Sequence, residues 1–145
     1  MLALAASAFA PASSLTVFEP LIGSCWRAQI APGTTDTHCF EPMYERAHVR
    51  DRHEVHAGGK TVYAGETVYS LEGRAVSFTY VNSLGGVGRG SVAKGGNRLR
   101  FDGTMRASPD AQAQPIATEW TLVDRNAYET RDSSSAKVTR FNRVK

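Results

Sequence analysis

Residues 60–82 read KTVYAGETVYSLEGRAVSFTYVN. Bulky side chains alternate with small or polar ones on both sides of Glu72-Gly73. Tyr63, Thr67, Tyr69 and Leu71 share one parity before that pair, and Val76, Phe78, Tyr80 and Asn82 share one after it. Alternation with period two marks half-buried strands, and a two-residue turn ending in glycine marks a hairpin. Folding about Glu72-Gly73 gathers both bulky sets on one face of the sheet.

The same reading extends in both directions. Gly58-Gly59 predicts a hairpin between strands at 47–55 and 60–71. Leu84-Gly85-Gly86-Val87 turns into a strand at 88–93, and Gly95-Gly96 into one at 97–102. Pairing symmetrically about these turns predicts an inward face of His48, Arg50, Arg52, Glu54, Tyr63, Gly65, Thr67, Tyr69, Leu71, Val76, Phe78, Tyr80, Asn82, Gly90, Val92, Leu99 and Phe101. The opposite face then carries Asp51, His53, Ala64, Glu66, Ser70, Ser77, Thr79, Arg89, Ser91, Arg98 and Arg100. An Ala/Pro/Asp-rich stretch within 101–114 predicts the longest loop. Strands at 114–124, 127–132 and 137–144 follow. Trp120 and Leu122 face inward, and the last strand is open between Phe141 and Arg140.

Earlier in the chain, Ala31-Pro32-Gly33-Thr34 predicts a turn. A hairpin symmetric about Pro32 sets Trp26 opposite His38, next to Phe40, on the inner face. It sets Cys25 opposite Cys39 on the outer face, within the Cα range of a disulfide. Two free buried thiols are the alternative. Thr16-x-x-Glu19 has capping-box spacing, and Pro20 and Gly23 confine the helix to a turn or two. The fold class is therefore all-β: an antiparallel up-and-down β-barrel of about 8–10 strands with a short N-terminal helical turn.

Length and charge bound the rest. The 145 residues make one domain, and a net charge of +3 with scattered arginines lacks the clustered footprint of nucleic-acid binding. Residues 1–12 are apolar and small, with no charge before Glu19, and read as an export leader cleaved after Ala12. A basic n-region is missing, and a disordered Ala-rich leader is the alternative. Residues 13–145 are then a single barrel domain, periplasmic or secreted, with no membrane-spanning segment. A disulfide agrees with an oxidising compartment.

Pro20-Leu21-Ile22-Gly23-Ser24-Cys25-Trp26 resembles the short helix and Gly-x-Trp opening of calycins, which include lipocalins, fatty-acid-binding proteins and nitrobindin-like barrels. Here two residues separate Gly23 from Trp26 where that opening has one. Asp36-x-His38-Cys39-Phe40-Glu41, Val49-Arg50-Asp51-Arg52-His53, Gly65-Glu66-Thr67-x-Tyr69 and Asn82-Ser83-Leu84-Gly85-Gly86 resemble a group of short exported bacterial barrels of unassigned function. The resemblance covers most of the chain, implies a barrel fold and is nearly silent on function.

Arg50 and Arg52, with His48, Tyr63, Tyr69 and Tyr80, form the sharpest constellation on the predicted inner face. A desolvated guanidinium needs an anion, and its forked donors suit a carboxylate or phosphate. Three readings stay open: an anion-anchoring pocket with an aromatic wall, an internal network neutralised by Glu54 or Glu41, or a solvated barrel mouth. His48 and His53 fall on opposite faces, and no Cys/His set has metal-ligand spacing, so no metal site or cofactor is expected. A lone haem ligand of the nitrobindin-like kind is a minor alternative. Catalytic motifs are missing: Gly86-x-Gly88-x-x-Ser91 lacks a third glycine, and no nucleophile elbow exists.

The sequence thus predicts a non-enzymatic, monomeric barrel binding a small amphipathic, anionic molecule inside. Its ligand residues would be Trp26, His38, Phe40, His48, Arg50, Arg52, Tyr63, Thr67, Tyr69, Phe78, Tyr80, Asn82 and Trp120. The alternative is an exported interaction domain with a filled barrel.

Overall fold

A computed structural model describes residues 8–145; residues 1–7 of the expected leader lie outside the described residues. The strands are β1 (Ala10–Pro11), β2 (Ser24–Ala31), β3 (Thr34–Met43), β4 (His48–Ala57), β5 (Lys60–Glu72) and β6 (Ala75–Asn82). They continue with β7 (Val87–Gly95), β8 (Arg98–Arg106), β9 (Gln114–Asp124), β10 (Ala127–Asp132) and β11 (Thr139–Arg143). From β2 to β11 each strand pairs antiparallel with its chain neighbour, and β11 returns to β2, so ten strands close an up-and-down barrel. The closing seam is short: Asn142 pairs with Arg27 and Arg143 with Trp26. The Arg143 guanidinium lies 4.8 Å over the Trp26 ring and donates to Ser24 Oγ.

One end of the barrel is plugged. A 3-10 turn, Leu15–Phe18, starts at Ser14, whose hydroxyl accepts from the Thr16 amide. The cap is therefore Ser14, not the Thr16 that capping-box spacing suggests, and Glu19 instead pairs with Arg46. Phe18 stacks on Tyr69 at 4.1 Å between centroids, and Leu21 is fully buried beside it. The β1 pair joins β7, and Ala12 bridges backbone bonds to Val92 and Val76. Residues 10–12 of the expected leader are thus built into the sheet.

The interior above the plug is aromatic. Trp26, Phe40, Tyr69, Phe78, Phe101, Trp120, Tyr128 and Phe141 are buried and belong to one core cluster. Trp120 sits 4.4 Å from Phe101 and 5.2 Å from Tyr128, centroid to centroid. Phe141, not Arg140, is the inward residue of β11. Leu71 shares the inner face but lies at the strand end, 45% exposed. The long loop falls between Arg106 and Gln114, inside the expected stretch.

In β4 the structure departs from the predicted faces. Ala57 pairs with Lys60 and His56 with Thr61, but Val55 pairs with Tyr63, so Val62 is an extra residue on β5. A bulge of one residue flips every side chain beyond it relative to the partner strand. Asp51 therefore opposes Thr67, and His53 opposes Gly65, on the inner face. His48, Arg50, Arg52 and Glu54, expected inside, point outward. Gly65, expected beside Arg52, lies beside His53.

Deleting Val62 should turn Arg50 and Arg52 into the barrel and Asp51 and His53 out of it. The deletion variant should fail to fold or unfold at much lower denaturant. Val62→Ala, at an exposed position, should stay within about 0.5 kcal/mol of the parent. Equal stability of the two variants, by urea denaturation, would count against the bulge.

Candidate binding site

Two features beyond the plain core come from this arrangement: a polar cluster inside the upper half of the barrel, and a groove on the outer face. The cluster arises because β3 and β4 pair in the register that opposes His38 to His53 and Phe40 to Asp51. The turn between them places three non-glycine residues, Tyr44, Glu45 and Arg46, at positive φ.

Asp51 is buried, 2% exposed. Its carboxylate accepts from His38 Nδ1 at 2.8 and 3.0 Å. The other His38 nitrogen, Nε2, lies 3.3 Å from Asp36 Oδ2. Asp36 Oδ1 is 3.1 Å from His53 Nδ1, and His53 Nε2 is 3.2 Å from the Tyr80 hydroxyl. Tyr80 continues the chain to the Tyr63 hydroxyl. The two imidazoles stack at 4.6 Å with planes 16° apart. A buried charge is tolerated when it is paired and hydrogen-bonded, and each carboxylate here has that pairing.

Burial opposes the charge on His38, but Asp51 and Asp36 more than offset it, and its pKa rises to about 10. Burial likewise raises the Asp36 pKa, yet hydrogen bonds from His38 and His53, with their charge, hold it well below the carboxylate range. Burial, then the hydrogen bond with Tyr63, pushes Tyr80 up. Tyr128, deeper in the core, keeps its hydroxyl without a hydrogen-bond partner.

Of the residues predicted for a ligand, Trp26, Phe40, Tyr69, Phe78 and Trp120 are packed core. His38, Tyr63 and Tyr80 join the polar cluster, and Thr67 faces inward between Asp51 and Tyr80. Asn82 holds the β6–β7 turn: its Oδ1 accepts from the Leu84 and Gly86 amides. His48 bonds to Ser70 on the outer face. Arg50 pairs with Glu41, and Arg52 lies 3.4 Å from the same carboxylate. The Glu41 network anticipated for the arginines thus exists, but outside the barrel.

Sequence reasoning missed Asp36, Asp51 and His53. A signal for the last two lies in β4 itself. Val49, Asp51, His53 and Val55 share one parity against His48, Arg50, Arg52 and Glu54, and the two valines mark the inner set.

The groove, about 690 Å³, crosses the outer face of β2 to β6. Its lining includes the Cys25–Cys39 disulfide, Val81, Val144 and Ala64, with Arg27, Arg52, Glu54 and Glu66 among the charged residues. The disulfide is formed, with its Cα atoms 4.1 Å apart and on the outer face as expected. His53 and Gly65 also border this groove. Comparison with known proteins found no matching family model and no matching curated protein.

A side chain at Gly65 would put Cβ 2.5 Å from His53 Nε2 and 2.6 Å from the Tyr80 hydroxyl. Gly65→Ala should therefore separate His53 from Tyr80 and cost about 1–3 kcal/mol in a denaturant melt. A neutral effect would mean that this contact is dispensable.

The pH dependence of stability has a definite sign. The folded pKa of His38 lies above its ordinary 6.5, so its contribution is complete below about pH 6.5 and is lost as pH rises through about 10. The folded pKa of Asp36 lies below its ordinary 3.8, so its contribution is present above that value and lost as pH falls. Chelator-treated protein should lose thermal stability from neutral pH toward pH 10, and His38→Phe should flatten that alkaline limb. An unchanged limb in the variant would assign the loss elsewhere.

Proposed function

We propose that this chain is a non-catalytic binding protein that takes a small amphipathic, anionic molecule in the groove on the outer face of its barrel. The observation that carries the reading is the groove itself. Its volume, about 690 Å³, falls within the roughly 300–1,000 Å³ of small-molecule sites. Apolar lining residues (Val81, Val144 and the disulfide) suit a hydrocarbon portion, and Arg27 and Arg52 suit an anionic head. The aromatic packing of the interior argues for this location over the barrel lumen.

A non-catalytic role is supported by the partners of the two inner histidines. His38 has a carboxylate at each nitrogen, and His53 has Asp36 at one and Tyr80 at the other. Neither keeps a nitrogen for a substrate proton, which general acid–base work requires. The same filled interior favours a second reading, an interaction domain acting through its outer surface. We further infer export, on the Cys25–Cys39 bond and the disulfide-permissive compartments that preserve such bonds.

Titration with a fluorescent fatty-acid analogue separates these readings. Val81→Glu should abolish probe binding by placing a carboxylate in the apolar lining. Arg52→Met should weaken it over tenfold through loss of a charge-assisted hydrogen bond. The Arg52 side chain is 58% exposed, so its removal should change stability by no more than about 1 kcal/mol. Loss with Val81→Glu alone would retain the groove and remove the anionic preference. Binding insensitive to both, or no binding at all, would sink the small-molecule reading in favour of a surface partner. For export, thiol counting under denaturing conditions should find none free in protein recovered from outside the cytoplasm.

A further inference from the structure

We propose that Asp36, His38 and His53 bind a first-row divalent transition ion such as zinc inside the upper half of the barrel. One donor atom from each of the three lies within 4.8 Å of the others. Asp36 faces His38 Nε2 at 3.3 Å and His53 Nδ1 at 3.1 Å. The two contacts use different oxygens of Asp36, Oδ2 toward His38 and Oδ1 toward His53. Ligand atoms about 2.0–2.2 Å from a tetrahedral zinc are roughly 3.3–3.5 Å apart, so the three donors must draw together from their 4.8 Å spread to share one ion. Two imidazoles and one carboxylate are donors that suit zinc and its neighbours, and three protein ligands leave a coordination position for water.

The surroundings complete the site in the way that metal-bound histidines require. Each ligating imidazole ordinarily gives its second N–H to an acceptor, which fixes its orientation. Here Asp51 holds the far nitrogen of His38 at 2.8 Å, and the Tyr80 hydroxyl holds the far nitrogen of His53 at 3.2 Å. Charge also balances. Asp36 and Asp51 offer two negative charges, and a divalent ion with neutral imidazoles cancels both. On binding, the ion replaces the hydrogens between Asp36 and the two imidazoles: His38 gives its Nε2 proton to solvent, and His53 binds as the tautomer whose Nε2–H donates to the Tyr80 hydroxyl, so both rings are neutral. Asp36, His38 and His53 each keep a small part of their side-chain surface, 12–15%, open to solvent, which gives an ion access. The stacked rings, 16° from parallel, must tilt apart for both lone pairs to meet one ion. The inference does not depend on the groove's ligand.

The test is calorimetric titration of chelator-treated, untagged protein with Zn2+, paired with visible spectroscopy using Co2+. The parent should take up one equivalent of Zn2+ with a submicromolar Kd, and Co2+ should give the intense visible bands of a four- or five-coordinate ion. Asp36→Asn and His53→Gln, near in shape, should each weaken Zn2+ at least a hundredfold. Asp51→Asn should weaken it about 10–100-fold by loosening His38. His56→Ala and His48→Ala, which remove histidines from the outside, should leave the affinity unchanged. A parent that binds neither ion at tens of micromolar overturns the proposal, whatever the variants do. So does binding that survives Asp36→Asn and His53→Gln but is lost with His56→Ala, which would place the ion on the surface.

Discussion

One extra residue in β5, Val62, decides what the barrel contains. Without it, β4 would bring two arginines and a glutamate into a space lined by Tyr69, Phe78 and Trp120. With it, β4 contributes Val49, Asp51 and His53, two of which are polar but paired. Ionised side chains are tolerated inside only when partners lie within hydrogen-bond reach. The bulge lets the chain keep Arg50 and Arg52 in water, each beside Glu41, while the interior receives carboxylates that His38 and His53 can neutralise. The position of Gly65 follows from the same shift, because only a residue without Cβ leaves room for His53 against Tyr80.

The interior is layered. The 3-10 turn and Leu21 seal one end, aromatic rings fill the middle, and the Asp–His–Tyr chain occupies the upper part. These layers are coupled through Asp51. It sits among buried neighbours, opposes Phe40 across the sheet, and reaches His38, whose ring lies 5.1 Å edge-on to Phe141. Apolar packing there excludes water, which strengthens the ion pair and makes any break in it costly. A polar network of this kind specifies one arrangement of β3 against β4 more sharply than aliphatic residues would.

Much of this was legible in the sequence, and the reversed faces of β4 have one cause. The β5–β6 hairpin, the aromatic face and the Cys25–Cys39 pairing follow from alternation and turn chemistry alone; the turn falls at Gly73-Arg74, one residue after the expected Glu72-Gly73, a register shift of two that leaves the faces unchanged. In the first hairpin, symmetry about Pro32 works because an irregularity at Ile30 compensates for a turn of two residues. In the second, the turn at Gly58-Gly59 is equally clear, but the irregularity at Val62 follows it and nothing offsets the shift. Glycine pairs announce turns; a valine in a strand announces no bulge. The candidate site goes with that register, since symmetric pairing puts His53 and Asp51 on the outer face and gives Asp36 no partner. The parity of Val49 and Val55 carried the corrective information, as apolar residues in an otherwise charged strand.

The seam between β2 and β11 has a consequence for the order of folding. Every other strand pairing in the ten-strand ring joins segments that are consecutive along the chain and can form by local hairpin closure. The seam joins residues more than a hundred positions apart through two backbone pairs, with the stacking of Arg143 on Trp26. Contacts at such separation bear the largest loop-closure cost and form after the local ones. The barrel is therefore a ribbon that zips from its interior hairpins and locks last at its two ends.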